Sequence, residues 1–291
     1  PAWAGRSHKP GKGRIPIGLL IRGWHKHRRF LAFTSGSGKC APAARSVVKK
    51  LAEQFAPDVP RLPEEYGTFL AQIGTQGLNL QRRAWLYPSN QLYLSEGEEP
   101  CLMIGSYSLL DEGDKLAYCF PKEGPPCLVW MERWSDLRDR QIKVADSLGQ
   151  LLCNQAFLAE GGEQFSFHHS LELAFHLHQP LYGSCPEAED YCRTHPIQNL
   201  SEKELEDIGF QLQIKKLEGP LRRLSYERVW FSTELDQVWR KEAACCILSR
   251  EFDPNDMFDT VYITLWGMGK ESVWELAQAF QELGYGNSVE L

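Results

Sequence analysis

Apolar residues fall at helical spacing in residues 62–77, LPEEYGTFLAQIGTQG, where Tyr66, Phe69, Leu70 and Ile73 stand at i, i+3, i+4 and i+7. Pro63 suits the first helical position because it has no amide hydrogen to lose there. Glu64 and Glu65 set negative charge at the positive end of the helix dipole. Gly74 and Gly77 supply a stop and a tight turn. Val47, Val48, Leu51 and Phe55 predict an earlier helix over about 42–56. Beyond residue 80 the period shortens. Trp85-Leu86-Tyr87, Pro88-Ser89-Asn90 and Leu92-Tyr93-Leu94 read as strand, turn and strand. Further strands are expected at 101–105, 116–120 and 127–130, with a turn at Asp111-Glu112-Gly113-Asp114. Val144, Leu148, Leu151 and Leu152 predict a closing helix over about 144–157.

Glu160-Gly161-Gly162 reads as a linker into a second stretch. There, 165–177 is apolar and 180–196 has loop composition. Ser201 and Glu204 make a capping box for a short helix. Phe210, Leu212 and Ile214 alternate as in a strand, and another strand is expected near 226–231. Leu235, Val238, Trp239, Cys246 and Ile247 predict a long amphipathic helix. Residues 261–266 predict a strand, and Val273, Leu276, Ala277 and Phe280 a last helix. The fold class is therefore α+β: a mixed or antiparallel sheet flanked by helices over 42–160, then a second, smaller α+β domain over 165–291. Residues 1–41 read as a basic tail, disordered or an artefact of the reading frame.

The order "LP, acidic pair, aromatic, Phe-Leu, glycine turn", followed by these strands, the acidic turn and the closing helix, resembles the SUKH superfamily (Smi/Knr-type). That group includes fungal cell-wall regulators and bacterial immunity proteins that neutralise partner toxins. The resemblance covers residues 43–160 and implies protein binding without catalysis, most specifically as an immunity protein that occludes a bacterial toxin. A regulatory or scaffold protein like the fungal members is the alternative within the family. No family is recognised in residues 165–291, so an enzyme with its site there is the alternative from another class.

Charge sharpens the partner. Residues 1–52 hold twelve Lys/Arg and no Asp or Glu, whereas the rest holds twenty Lys/Arg against thirty-eight Asp/Glu. An acidic body disfavours nucleic acid, whose phosphates need cations, and favours a basic protein partner such as a toxin domain. The candidate contacts are the acidic loop groups Glu96, Glu98, Glu99, Asp111, Glu112 and Asp114, with Trp130 and Trp134 as aromatic anchors. Nine cysteines without a C-x-x-C pair read as reduced thiols in a cytoplasmic protein. No apolar run reaches the roughly eighteen residues of a membrane span.

Other chemistry finds little footing. Ser35-Gly36-Ser37-Gly38-Lys39-Cys40 lacks both the first glycine and the hydroxyl of a phosphate loop. Gly267-Met268-Gly269-Lys270 reads as a strand-to-helix turn and not a dinucleotide site. His168, His169, His176, His178, Cys185, Cys192 and His195 offer zinc-type ligands at no recognised metal spacing. No G-x-S-x-G elbow occurs. Neither catalytic residues, metal nor cofactor is expected.

Overall fold

The computed structural model describes residues 49–50, 53–54, 63–73, 78–79, 84–95, 101–107, 114–121, 124–131, 141–173, 191, 193–194, 200, 202–252 and 259–287. The tail 1–41, most of the expected helix at 42–56 and most of 180–196 lie outside these residues. The described residues form an α+β fold of four helices and two antiparallel sheets.

Helix α1 (Glu64–Ile73) forms where the apolar stripe predicts it, and the Pro63 carbonyl accepts from the Tyr66 and Gly67 amides at 2.9 and 3.1 Å. Tyr66, Phe69 and Leu70 are buried in the core of the first sheet. Each such side chain stabilises the fold by about 1.5–3 kcal/mol relative to exposure.

That sheet has seven strands: β1 (Leu78–Asn79), β2 (Ala84–Leu86), β3 (Tyr93–Leu94), β4 (Cys101–Tyr107), β5 (Lys115–Cys119), β6 (Cys127–Met131) and β7 (Gln141–Ala145). The order is β1-β2-β4-β5-β6-β7, with β3 also paired to β4. Trp85 faces Ser106 and Tyr93 faces Met103, so β2 and β3 lie end to end along β4. The 3-10 turn Ser89–Gln91 lies between β2 and β3, which both pair with β4 and do not fold a hairpin. A bulge between Met103 and Gly105 interrupts the β4–β5 ladder. Only glycine fits at 105, where an added Cβ would sit 2.2 Å from the Trp85 carbonyl oxygen.

The closing helix, α2 (Leu148–Glu160), begins later than the sequence suggests. Val144 belongs to β7 and points into the same core, which is why it matched the helical pattern. Ser147 sets the true start: its hydroxyl accepts from the Gln150 amide at 3.1 Å, and Gln150 Oε1 accepts from the Asp146 amide at 2.7 Å. Glu65 of α1 completes the cap, accepting from the Leu148 amide at 2.9 Å and the Tyr118 hydroxyl at 2.6 Å. One carboxylate thus ties α1, β5 and α2 together.

The second sheet has six antiparallel strands in the order β13-β8-β12-β11-β10-β9. These are β8 (Phe167–Leu173), β9 (Glu227–Arg228), β10 (Asp236–Lys241), β11 (Ala244–Phe252), β12 (Asp259–Gly267) and β13 (Tyr285–Asn287). Helices α3 (Glu202–Arg223) and α4 (Glu271–Glu282) pack on one of its faces through Phe210, Ile214, Leu217 and Leu221, and Val273, Leu276 and Phe280. Its other face meets the end of α2, where Leu158 joins Val238, Cys245, Ile247 and Trp266. Helix α2 therefore lies between the two sheets. Polar groups bridge the same junction: Asn154 Nδ2 donates to the Asp236 carbonyl at 3.0 Å, the Tyr107 hydroxyl to Asp236 Oδ2 at 3.2 Å, and the Glu234 amide to the Val144 carbonyl at 3.1 Å.

Three expectations are corrected. Phe210, Leu212 and Ile214 lie in α3 and not in a strand. The buried set Phe210, Ile214, Leu217 and Leu221 keeps helical spacing over far more residues than the short alternation. The expected helix through Leu235, Val238, Trp239, Cys246 and Ile247 is the β10–β11 hairpin, with Lys241 opposite Ala244. Both faces of these central strands are buried, so the period of two is hidden; Trp239 and Val238 go to opposite cores, as successive strand residues must. Gly161 belongs to a 3-10 turn, Gly161–Gln164, that continues α2. It is buried, and a Cβ there would lie 2.8 Å from the Phe157 ring. It serves close packing and not linker freedom.

Two predictions follow from these contacts. Glu65→Ala is expected to lower unfolding free energy in urea by about 1–3 kcal/mol, because it strands the Leu148 amide and the Tyr118 hydroxyl; an unchanged midpoint would show that the carboxylate tie contributes nothing. Burial pushes the Cys153 and Cys245 thiols up to about 12 and raises Cys246, Tyr66 and Tyr118, the last with Glu65 adding to the shift. The native state therefore holds these protons more tightly than the unfolded chain. Their contribution is full below the ordinary thiol value of 9.0 and is lost as pH rises through about 12. Urea midpoints measured at increasing pH should fall across that window, and a level profile would contradict the burial described.

Candidate partner-binding surface

Of the residues singled out for partner contact, Glu96, Glu98, Glu99, Asp111, Glu112 and Trp134 lie outside the described residues. Asp114 and Trp130 are described, and both are fully buried. Trp130 Nε1 donates to Asp114 Oδ2 at 3.1 Å, across the pairing of β5 with β6. A buried indole N–H requires an acceptor, and the carboxylate supplies it. Asp114 and Trp130 are thus an interior pair beneath the sheet and present no side chain to a partner, which corrects the expectation for these two positions.

The aromatic surface lies on the opposite face of the same sheet. Along β2, Ala84 and Leu86 enter the core and Trp85 points away. Next to β3, Leu92 enters the core, and Tyr93 sits opposite Met103, an outer-face residue. Trp85 is 49% exposed and Tyr93 43%. The Trp85 ring meets the Tyr87 ring edge-on at 5.9 Å, and Lys115 Nζ lies 5.9 Å from the centre of the Tyr87 ring. Lys115 Nζ also donates to the Tyr87 hydroxyl at 3.4 Å. Cross-strand pairing continues this face as two rows, Trp85–Ser106–Lys115–Met131 and Tyr93–Met103–Ala117–Val129–Lys143, of which Met103, Ala117 and Val129 are buried. The described part of this face therefore carries aromatic and aliphatic groups with two lysines. Its charge is not the acidic kind expected of the loops.

Trp85 and Tyr93 are the residues that the reading of the sequence missed. The signal was present in Ala84-Trp85-Leu86 and Leu92-Tyr93-Leu94, where an aromatic flanked by two core positions must point to the other side of a strand. Treating both triplets as uniformly apolar concealed it.

The remaining candidates do not converge. His168 and His169 are successive residues of β8. His168 Nε2 lies 3.1 Å from the Phe165 carbonyl oxygen, and its ring packs on Trp266. His169 stacks on Phe167, and its pKa is lowered by desolvation and then by the Lys270 charge. His176, His178, Cys185, Cys192 and His195 lie outside the described residues. Among the described residues, no group of three or more His, Cys, Asp or Glu could hold a metal ion. The turn Gly267-Met268-Gly269-Lys270 is closed by its own helix: the Ser272 hydroxyl donates to the Gly269 carbonyl at 2.6 Å, and the Glu271 carboxylate lies 2.3 Å from where a Gly269 Cβ would stand. An anion would meet that carboxylate. Among the described residues, no helix is long and apolar enough to cross a membrane. Comparison with protein-family models, curated proteins and solved structures finds no match for this chain.

Proposed function

We propose that the chain is a non-catalytic protein-binding protein of the immunity type, neutralising a bacterial toxin domain by covering its working surface. The observation that carries the binding part is the exposure of Trp85 and Tyr93 on one face of a sheet whose other residues are largely buried. Large aromatics fixed on a rigid strand lose little conformational freedom on binding and supply the desolvated centre that dominates affinity in protein interfaces. The sheet is held from behind by α1 and α2 through a continuous core, so the aromatics are presented in fixed positions. The more specific immunity reading rests on the resemblance of residues 43–160 to the SUKH superfamily in sequence. Lys115 and Lys143 flank the apolar centre, while the acidic loops lie elsewhere in the sequence. Long-range attraction for a basic toxin then comes from the net acidic body and the grip from the aromatic face.

The test is a titration of the full chain against the toxin domain encoded beside it. Trp85→Ala and Tyr93→Ala are each expected to weaken the complex at least about tenfold, equivalent to about 1.4 kcal/mol, with unchanged urea midpoints. Added salt should slow association more than it hastens dissociation. Full affinity in the double variant would remove this face from the reading, and a toxin that forms no complex would remove the immunity role.

A further inference from the structure

The outer face of the first sheet contains a row of three thiols that the binding role leaves unused. Cys101 of β4 pairs with Cys119 of β5, and Cys119 pairs with Cys127 of β6. Directly opposed residues of an antiparallel pair point to the same side, so the three side chains share the outer face across three strands with Cys119 between the other two. Cys101 and Cys119 are buried and Cys127 is half-buried. Met103, Ala117 and Val129 pack around them.

The backbone distinguishes the two pairings. Cys101 directs both its main-chain groups toward β3: its carbonyl accepts from the Ser95 amide at 2.9 Å, and its amide donates to Ser95 Oγ at 3.3 Å. Cys101 and Cys119 are therefore a non-hydrogen-bonded pair, in which α-carbons approach to about 4.5 Å and side chains are closest. The β-carbons of such a pair stand about 4.5 Å apart, at the edge of the roughly 3.5–4.5 Å that a disulfide spans. Cys119 turns its main-chain groups to Cys127, the hydrogen-bonded arrangement, whose β-carbons stand wider, toward about 5.5 Å, so a link there forms at a greater cost in strain. Cys127 is the accessible end of the row.

The geometry points to a thiol relay in which a hydroperoxide oxidises Cys127 and the resulting disulfide comes to rest between Cys101 and Cys119. In the first step the Cys127 thiolate attacks the peroxide O–O bond, giving Cys127 sulfenic acid and, after protonation, an alcohol or water. The Cys119 thiol then displaces water from the Cys127 sulfur and forms an S–S bond. The Cys101 thiolate finally attacks the Cys119 sulfur from the side opposite Cys127, and the departing Cys127 thiolate takes up the proton that Cys101 lost. The balance is two thiols and one hydroperoxide giving one disulfide, one alcohol or water, and one further water. Cys119, between the other two, is the one thiol with a directly opposed cysteine on each side. Cys245 and Cys246 lack this possibility with each other, because they enter different cores on opposite faces of β11.

The experiment treats the full chain with hydrogen peroxide, quenches it by alkylation under denaturing conditions and maps the cross-linked peptides by mass spectrometry. The expected product joins Cys101 to Cys119 and leaves Cys127, Cys153, Cys245 and Cys246 alkylated. Cys127→Ser should form the same link at least tenfold more slowly. Cys119→Ser should form no link within the row and accumulate sulfenic acid at Cys127, which a diketone probe traps. Alkylation of both Cys101 and Cys119 after peroxide treatment of the unaltered chain would overturn the relay. So would a lasting Cys119–Cys127 link, or an unchanged rate in Cys127→Ser. Because the principal readout is the unaltered chain, a substitution that failed to fold would not shield the proposal.

Discussion

A helix enclosed on two sides cannot leave its polar groups to water, and α2 is enclosed by two sheets. Its apolar residues divide between them: Leu148, Leu151 and Leu152 enter the core of the first sheet, and Leu158 that of the second. Asn154 and Gln155 between these sets are fully buried. Burying such amides costs on the order of 1–3 kcal/mol each when they are left unpaired. Asn154 binds the Asp236 carbonyl, Gln155 binds the Tyr107 hydroxyl at 3.1 Å, and Tyr107 in turn binds Asp236, whose other oxygen accepts from Ser249 at 2.8 Å. The network therefore joins β4, α2, β10 and β11. Apolar surface alone would let the two sheets slide along the helix, whereas these directional bonds fix one arrangement.

The exposed end of α2 is held by the same logic. The first amides of a helix lack internal partners; in α2 the Gln150 amide is received by Ser147 and the Leu148 amide by the carboxylate of Glu65, while Gln150 Oε1 accepts from the Asp146 amide just ahead of the helix. Glu65 belongs to the acidic pair that marks the start of α1 in the sequence, so one residue serves the electrostatics of its own helix and the cap of another. Arg250 is a comparable case in the second sheet. It is almost completely buried, pairs with Asp207 of α3 and stacks 4.7 Å from the Phe210 ring centre. Buried charge is placed where it joins a helix to a sheet.

Amphipathic elements with one solvent face were legible in the sequence. The stripe of α1, the stripe of α4 through Val273, Leu276, Ala277 and Phe280, and the alternation of β12 follow from local periodicity, while β4, β5 and β6, buried on both faces, were legible as short apolar runs between turns. The central hairpin of the second sheet was not. In β10 and β11, residues of both faces are apolar or bonded inside the protein, so no alternation survives to distinguish strand from helix. Val144 was absorbed into the helix after it because both point into one core. Of the candidate surface, the aromatics were visible as residue types, but their outward direction depended on a strict two-residue count through Trp85 and Tyr93. The interior placement of Asp114 and Trp130 depended on a cross-strand partnership that no local spacing encodes.

The extra residue in β4 has a consequence for how the two sheets come to be joined. In an unbroken strand, positions 101, 103, 105 and 107 would share one parity and one side. The irregularity between Met103 and Gly105 reverses that count halfway along. Cys101 and Met103 consequently face outward, while Tyr107 turns inward to reach Asp236. A single inserted residue thus lets the same strand furnish both the outer lining of one sheet and the anchor of the other. Removing it would restore uniform parity and carry the Tyr107 hydroxyl to the wrong side of the molecule.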